Sequence, residues 1–88
     1  MYRVKFIDSA VRDLSALDKP TAKRIVDRLQ WFVENFESLP HHALKGDYSD
    51  FYKLRVGDYR ILYQVLVDKQ IIQVHQIGHR REVYRGRK

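Results

Sequence analysis

The chain has 88 residues with 44% hydrophobic content, enough for one domain that buries about 60–65% of its unfolded surface. It has no cysteine, which excludes disulfides and thiolate metal sites, and no apolar run approaches the length of a membrane span. The net charge is +6, from 17 Lys and Arg against 11 Asp and Glu. Residues 1–44 carry 7 bases and 6 acids, and residues 45–88 carry 10 bases and 5 acids. Cations gathered on one half point to a polyanionic partner, nucleic acid being the commonest.

In chain order, the first segment is YRVKFID. Tyr2, Val4 and Phe6 alternate with Arg3 and Lys5, the pattern of a half-buried strand. The segment lacks the apolar stretch of a secretory signal, so a soluble, cytoplasmic protein is expected. Asp8 or Ser9 is placed to cap a short helix with an apolar face of Ala10, Val11, Leu14 and Leu17. The sequence DKP then restarts the chain, with Pro20 tolerated in a first helical turn. Ala22, Ile25, Val26, Leu29, Phe32, Val33 and Phe36 recur at helical spacing, while Lys23, Arg24, Asp27 and Arg28 face outward. Trp31 on this helix reads as a residue at the rim of the core. A loop, SLPHHALKGDYSD, follows, with a short extended piece expected at Ala43–Lys45.

From Phe51 the period changes to two. FYKLRV and YRILYQVLV flank Gly57-Asp58, a two-residue hairpin signal, and QIIQVHQI follows as a third strand of a meander. The expected architecture is α+β in the order β-α-α-β-β-β: an antiparallel sheet, two helices packed on one face, and a short C-terminal segment, all in a single domain over residues 1–88. With Gly57-Asp58 as the turn, Val56 pairs with Tyr59, Arg55 with Arg60, Leu54 with Ile61 and Lys53 with Leu62. Tyr52, Leu54, Val56, Tyr59, Ile61, Tyr63 and Val65 then face the helices. Lys53, Arg55 and Arg60 fall on the other, open face. Like charges directly opposite across strands destabilise a pair, and an anion between them would turn repulsion into charge-assisted hydrogen bonds. A two-residue turn at Asp68-Lys69 sets Gln64 against Gln73 and Leu62 against His75, adding His75 to the cationic face; a three-residue turn reverses that parity. The final stretch GHRREVYR extends the patch with His79, Arg80, Arg81 and Arg85, and Lys45 in the loop adds a further cation. Tyr84 offers a ring to stack on a base or a hydroxyl for proton transfer.

LKGDYSDFYKLRVGDYRILYQV followed by QVHQIGHRREVYR resembles the RelE family of toxins within the RelE/ParE superfamily, and the likeness runs from the first strand to Tyr84. The resemblance implies a toxin of a type II toxin–antitoxin system that cleaves messenger RNA in the ribosomal decoding site, with 16S rRNA contacts, and that an acidic, RelB-like antitoxin neutralises. By position, Lys53, Arg55 and Arg60 match the family's basic sheet residues, Arg80 its arginine after the last strand, and Tyr84 its C-terminal tyrosine. Arg55 stands where the best-known members have lysine, and the interval from Arg80 to Tyr84 is two residues shorter than theirs. The chemistry expected is attack by the RNA's own 2′-hydroxyl on the adjacent phosphorus. Lys53, Arg55 and Arg60 would stabilise the charge that develops, Tyr84 or Lys53 would take the 2′ proton, and Arg80 or His79 would assist the leaving oxygen. Lys45, His75, Arg81 and Arg85 are candidates for binding RNA. His41, His42, His75 and His79 have no Asp or Glu among them at ligand spacing, so no metal or other cofactor is expected. Two other functions fit the same features: a ParE-like inhibitor of DNA gyrase, and an RNA-binding module without catalysis.

Overall fold

The computed structural model describes residues 2–39, 42–43 and 51–79, the pair 42–43 by its backbone alone. The elements are β1 (Arg3–Phe6), α1 (Asp8–Ser15), α2 (Lys19–Glu34), a 3-10 turn (Phe36–Ser38), β2 (His42–Ala43), β3 (Tyr52–Val56), β4 (Tyr59–Leu66) and β5 (Ile71–His79). The order is the expected β-α-α-β-β-β, with the short β2 added at the edge of the sheet. The sheet runs β1-β5-β4-β3-β2. Its meander is antiparallel, but β1 lies parallel to β5, with Arg3 opposite Ile71 and Phe6 opposite Val74. The sheet is therefore mixed rather than antiparallel throughout. Two helices separate β1 from the meander, and a connection of that length permits a parallel pairing that a tight turn cannot make.

The two helices start differently. Asp18 caps α2 by accepting from the Thr21 N–H at 3.3 Å, which holds the Asp18 carboxyl below its ordinary pKa. In α1 the N-cap is Ile7, without a side-chain cap. Ser9 is used elsewhere: its hydroxyl donates to the His75 carbonyl of β5 at 2.9 Å. One turn on, an Asp13 carboxylate oxygen accepts from the Ile77 N–H at 3.0 Å. The inward arc of α1 is therefore Ser9, Ala10, Asp13 and Leu14, followed by Leu17 just past its end. Val11 sits at its rim and is 48% exposed, contrary to its expected place in the core. Val26 of α2, expected inside, is likewise exposed.

The core has two parts. Ala10, Ile25, Leu29, Val56, Ile61, Val74 and Ile77 form one beneath α1 and the first half of α2. Phe32, Val33, Phe36, Tyr63 and Ile72 form the other. Phe32 meets Tyr63 edge-on at 5.3 Å, and Tyr52 stacks on Tyr63 at 5.6 Å. Burial, and then the neighbouring Tyr52, push the Tyr63 phenol well above its usual range. Among the described residues no helix is long and apolar enough to cross a membrane.

The β3–β4 hairpin keeps the expected register throughout, and the β4–β5 hairpin keeps it only up to Tyr63. Gly57 takes the left-handed φ of +58° that a two-residue turn requires and that glycine adopts freely. The β4–β5 connection is wider than the expected Asp68-Lys69 turn: a 3-10 turn over Val67–Lys69 closed by Gln70 at φ +54°. Gln64 still faces Gln73. Beyond that point β5 carries a bulge. Tyr63 opposes Val74, but Leu62 opposes Gln76, so His75 is the extra residue. The bulge lets Ile77 reach the core although it follows Val74 by three positions.

The α1–β5 bonds should govern stability. Asp13→Ala, which strands the Ile77 N–H, is expected to cost about 1.5–3 kcal/mol in urea unfolding. Asp13→Asn keeps an oxygen acceptor and should recover most of that loss. An Asp13→Ala variant as stable as the parent would show that the strand is held by other means.

Candidate functional site

Because Leu54, Val56 and Ile61 turn inward to the core, strand alternation sends Lys53, Arg55 and Arg60 to the opposite face. Arg55 is directly opposite Arg60, as expected. In a two-residue hairpin this second pair makes no ladder hydrogen bonds, and its Cα atoms approach to about 4.5 Å. Arg55 is exposed, while Arg60 and Lys53 are half-buried. On the other side of Arg60 the partner in β5 is Gly78. The three strands thus present a row Arg55–Arg60–Gly78 near the hairpin tip, and a row Lys53–Leu62–Gln76 about 7 Å further along. Gly78 has no side chain, so the surface is notched beside the Arg60 guanidinium. Two guanidinium groups beside a position without a side chain can grip one tetrahedral anion between them.

This face is not bare throughout. Leu62 belongs to it by register, yet it is fully buried. The rings of Phe51 and His75 meet edge-on with centroids 4.9 Å apart. Phe51 directly precedes β3 and His75 lies in β5, the strands on either side of β4, so their contact spans β4. His75 therefore lies on the cationic side, as expected, but not opposite Leu62; the bulge makes it an extra residue packed against Phe51, with Nε2 buried. Phe51, missed as a site residue, precedes the strand pattern by one position and gave no sign of a partner two strands away.

The bulge moves His79 further. It now opposes Tyr59, with ring centroids 5.8 Å apart, and Tyr59 packs against the core beneath the helices. His79 is thus separated by the sheet from Lys53, Arg55 and Arg60. An unbulged strand would have put it with them. The spacing of Ile72, Val74 and Ile77, two and then three, is the signal in the sequence that reveals the shift. Lys45, Arg80, Arg81, Tyr84 and Arg85 lie outside the described residues.

Charge opposition on the hairpin has a measurable cost. Arg55→Ala is expected to leave the fold intact and to raise stability by about 0.2–0.5 kcal/mol at low salt. The gain should shrink toward zero as added salt approaches ~0.5 M. A loss of stability on this substitution would mean that the two guanidinium groups do not oppose one another.

Comparison with known proteins supplies a wider frame. Residues 4–84 match the family described as ParE toxin of type II toxin-antitoxin system, parDE. A RelE-like toxin protein of Escherichia coli is 33% identical over 81 residues, covering 90% of this chain and 83% of the relative. Among solved structures, the RelBE toxin–antitoxin complex of Mycobacterium tuberculosis superposes with a TM-score of 0.80 at 22% identity, over 89% of this chain and 96% of that one. The RelB–RelE complex of Methanococcus jannaschii gives 0.67 at 29% identity, over 90% and 93%. The isolated Escherichia coli RelE toxin gives 0.71 at 24% identity, over 90% and 84%.

Proposed function

Since the chain belongs to the ParE toxin family of type II toxin–antitoxin systems, within the RelE/ParE superfamily, we propose that it is a ribosome-dependent messenger-RNA endoribonuclease that inhibits translation in the cytoplasm. The observation that carries this reading is the Arg55–Arg60 pair set against the bare position of Gly78. A gyrase inhibitor working through protein contacts has no need of two guanidinium groups set directly opposite one another beside a glycine.

The reaction uses no metal. The 2′-hydroxyl of the message attacks the adjacent phosphorus, a P–O bond to the 2′ oxygen forms, and the bond to the 5′ oxygen breaks. The 2′ proton passes to a base and the leaving 5′ oxygen gains a proton, leaving a 2′,3′-cyclic phosphate and a 5′-hydroxyl. Arg55 and Arg60 hold the non-bridging oxygens, where charge grows in the phosphorane, and Lys53 binds the neighbouring stretch of backbone. Tyr84 or Lys53 serves as the base and Arg80 as the group beside the leaving oxygen, by the family resemblance. His79 is left out of proton transfer because Tyr59, its partner, faces the helices. With no strong base at hand, much of the acceleration has to come from orientation, which the ribosome supplies by fixing the RNA. The relatives solved as RelB–RelE complexes support an acidic antitoxin as the natural inhibitor. It covers the cationic face, and its association weakens as salt rises.

The ParE family match favours a second reading, poisoning of DNA gyrase. The two separate on one experiment: expression followed by mapping of message ends and of chromosomal breaks. Cleaved messages with 5′-hydroxyl ends are expected; intact messages beside broken DNA would overturn the nuclease.

In a purified translation reaction, Arg60→Ala and Arg80→Ala should each lose about 10²-fold or more in cleavage rate while staying folded. Tyr84→Phe tests the hydroxyl: stacking survives the change and proton transfer does not. His79→Ala should fall by less than about three-fold. Cleavage abolished by EDTA under conditions that keep ribosomes intact, or products with a 5′-phosphate, would contradict the mechanism.

A further inference from the structure

The outer surface of α2 carries two exposed rows of different character. Lys23, Asp27, Gln30 and Glu34 form one, and they satisfy each other. The Lys23 ammonium bonds Asp27 at 2.8 Å, and the Gln30 amide donates to Glu34 at 3.1 Å. Arg24, Arg28 and Trp31 form the other, at positions i, i+4 and i+7. The row itself holds no acid, but Asp18 at the start of the helix, whose carboxyl the Thr21 hydrogen bond holds below its ordinary pKa, is near enough for Arg24 to lower it further. The Arg28 guanidinium lies over the Trp31 ring, 4.4 Å from its centroid. The indole is 42% exposed. Trp31 thus lies at the edge of the core, as expected, with its exposed part ending a row that Arg28 caps with charge.

The other end of the row touches the hairpin. The Arg24 guanidinium comes so near Gly57 that a Cβ built there would lie 3.5 Å from its Nη1. Arg55 and Arg60 are two and three residues from Gly57. Arg24 thus brings the α2 row to the hairpin tip, where Asp58 also stands, and the row runs on for a rise of about 10 Å along the helix.

We propose that the Arg24–Arg28–Trp31 row is a second RNA-docking surface, continuous with the hairpin site, that binds an unpaired RNA segment. Arg24 and Arg28 contact its phosphates, and one base stacks on the platform that Arg28 and Trp31 form. This rests on the reading of the hairpin face as an RNA site and adds a surface to it. The chemistry is suited to RNA without sequence preference: guanidinium forks match phosphate oxygens, and every base has a face to stack. An acidic protein segment could satisfy the two arginines but would leave the stacked indole unused.

Trp31 is the single tryptophan of the chain, so its emission reports directly on the platform. The probe is a single-stranded 2′-O-methyl RNA oligonucleotide, which the enzyme cannot cleave. Titration at low salt should quench Trp31 emission along a binding curve. Arg24→Gln with Arg28→Gln should weaken binding about ten-fold and flatten the dependence of log affinity on log salt by about 1.4. Trp31→Ala should weaken it about ten-fold when followed by anisotropy of a labelled oligonucleotide, and Trp31→Tyr should restore most of that loss. On programmed ribosomes the defect of these variants should fall on KM, whereas that of Arg60→Ala falls on kcat. The arginine variants should melt with the parent, because Arg24 and Arg28 are exposed, and Trp31→Tyr keeps an aromatic ring in the partly covered Trp31 position. If the oligonucleotide binds, and Arg60→Ala weakens it, while Trp31 emission and the α2 variants are unaffected, the second surface is refuted and the hairpin site stands. If neither parent nor Arg60→Ala binds RNA or cleaves messages, the nuclease reading itself falls. Quenching by an acidic peptide but not by RNA would overturn the proposal in favour of a protein partner.

Discussion

Two hydrogen bonds between α1 and β5 determine what the sheet can present. The parallel partner β1 ends at Phe6, opposite Val74, and β5 continues five residues beyond it. Along that extension the edge would be open. Ser9 and Asp13 close it, one giving a proton to the His75 carbonyl and the other accepting from the Ile77 N–H. These are the two backbone groups flanking the bulge, where a ladder partner is hardest to supply. A helix that spends two polar residues on a strand edge in place of its own cap is trading local stability for control of that strand's phase. The phase decides everything downstream: Ile77 enters the core, Gly78 comes to lie beside Arg60, and His79 is turned to the helix side.

The hairpin shows the opposite balance. Its turn, register and inward face all favour folding, and one row does not. Arg55 and Arg60 are held together by apolar neighbours on the other face, since neither strand can slip by one residue without exposing Leu54, Val56 and Ile61. The core thus holds two like charges directly opposite one another on the outer face. On the same face, the Phe51–His75 contact lies close to the buried Leu62, an apolar stretch beside the cations.

Much of this was legible in the sequence. Period-two alternation and Gly57-Asp58 determined the β3–β4 pairing residue by residue, and helical spacing placed Ile25, Leu29, Phe32 and Val33 in the core. What escaped was whatever depends on contacts between distant elements. A capping residue and a residue that bonds a strand edge are the same serine until the fold brings His75 within reach. Val11 and Val26 satisfy an apolar pattern but lie at the margins of helices whose inward arcs are set by their neighbours. The parallel pairing of β1 leaves no trace in a four-residue alternation, which suits either direction. The bulge did leave a trace, in the uneven spacing from Ile72 to Ile77, but a meander read in strict register passes over it.

The parallel pairing also constrains how the chain acquires its fold. The β3–β4 and β4–β5 hairpins close loops of two and four residues, between Val56 and Tyr59 and between Leu66 and Ile71. Arg3, by contrast, must find Ile71, 68 positions later. Loop-closure entropy orders these events: the meander forms early from neighbouring contacts, and β1 docks last. Until residues 71–74 are available the N-terminal strand has no partner, and without it neither Val4 nor Phe6 can complete the core. The strand made first therefore waits for β5, 68 positions later, before the core can close.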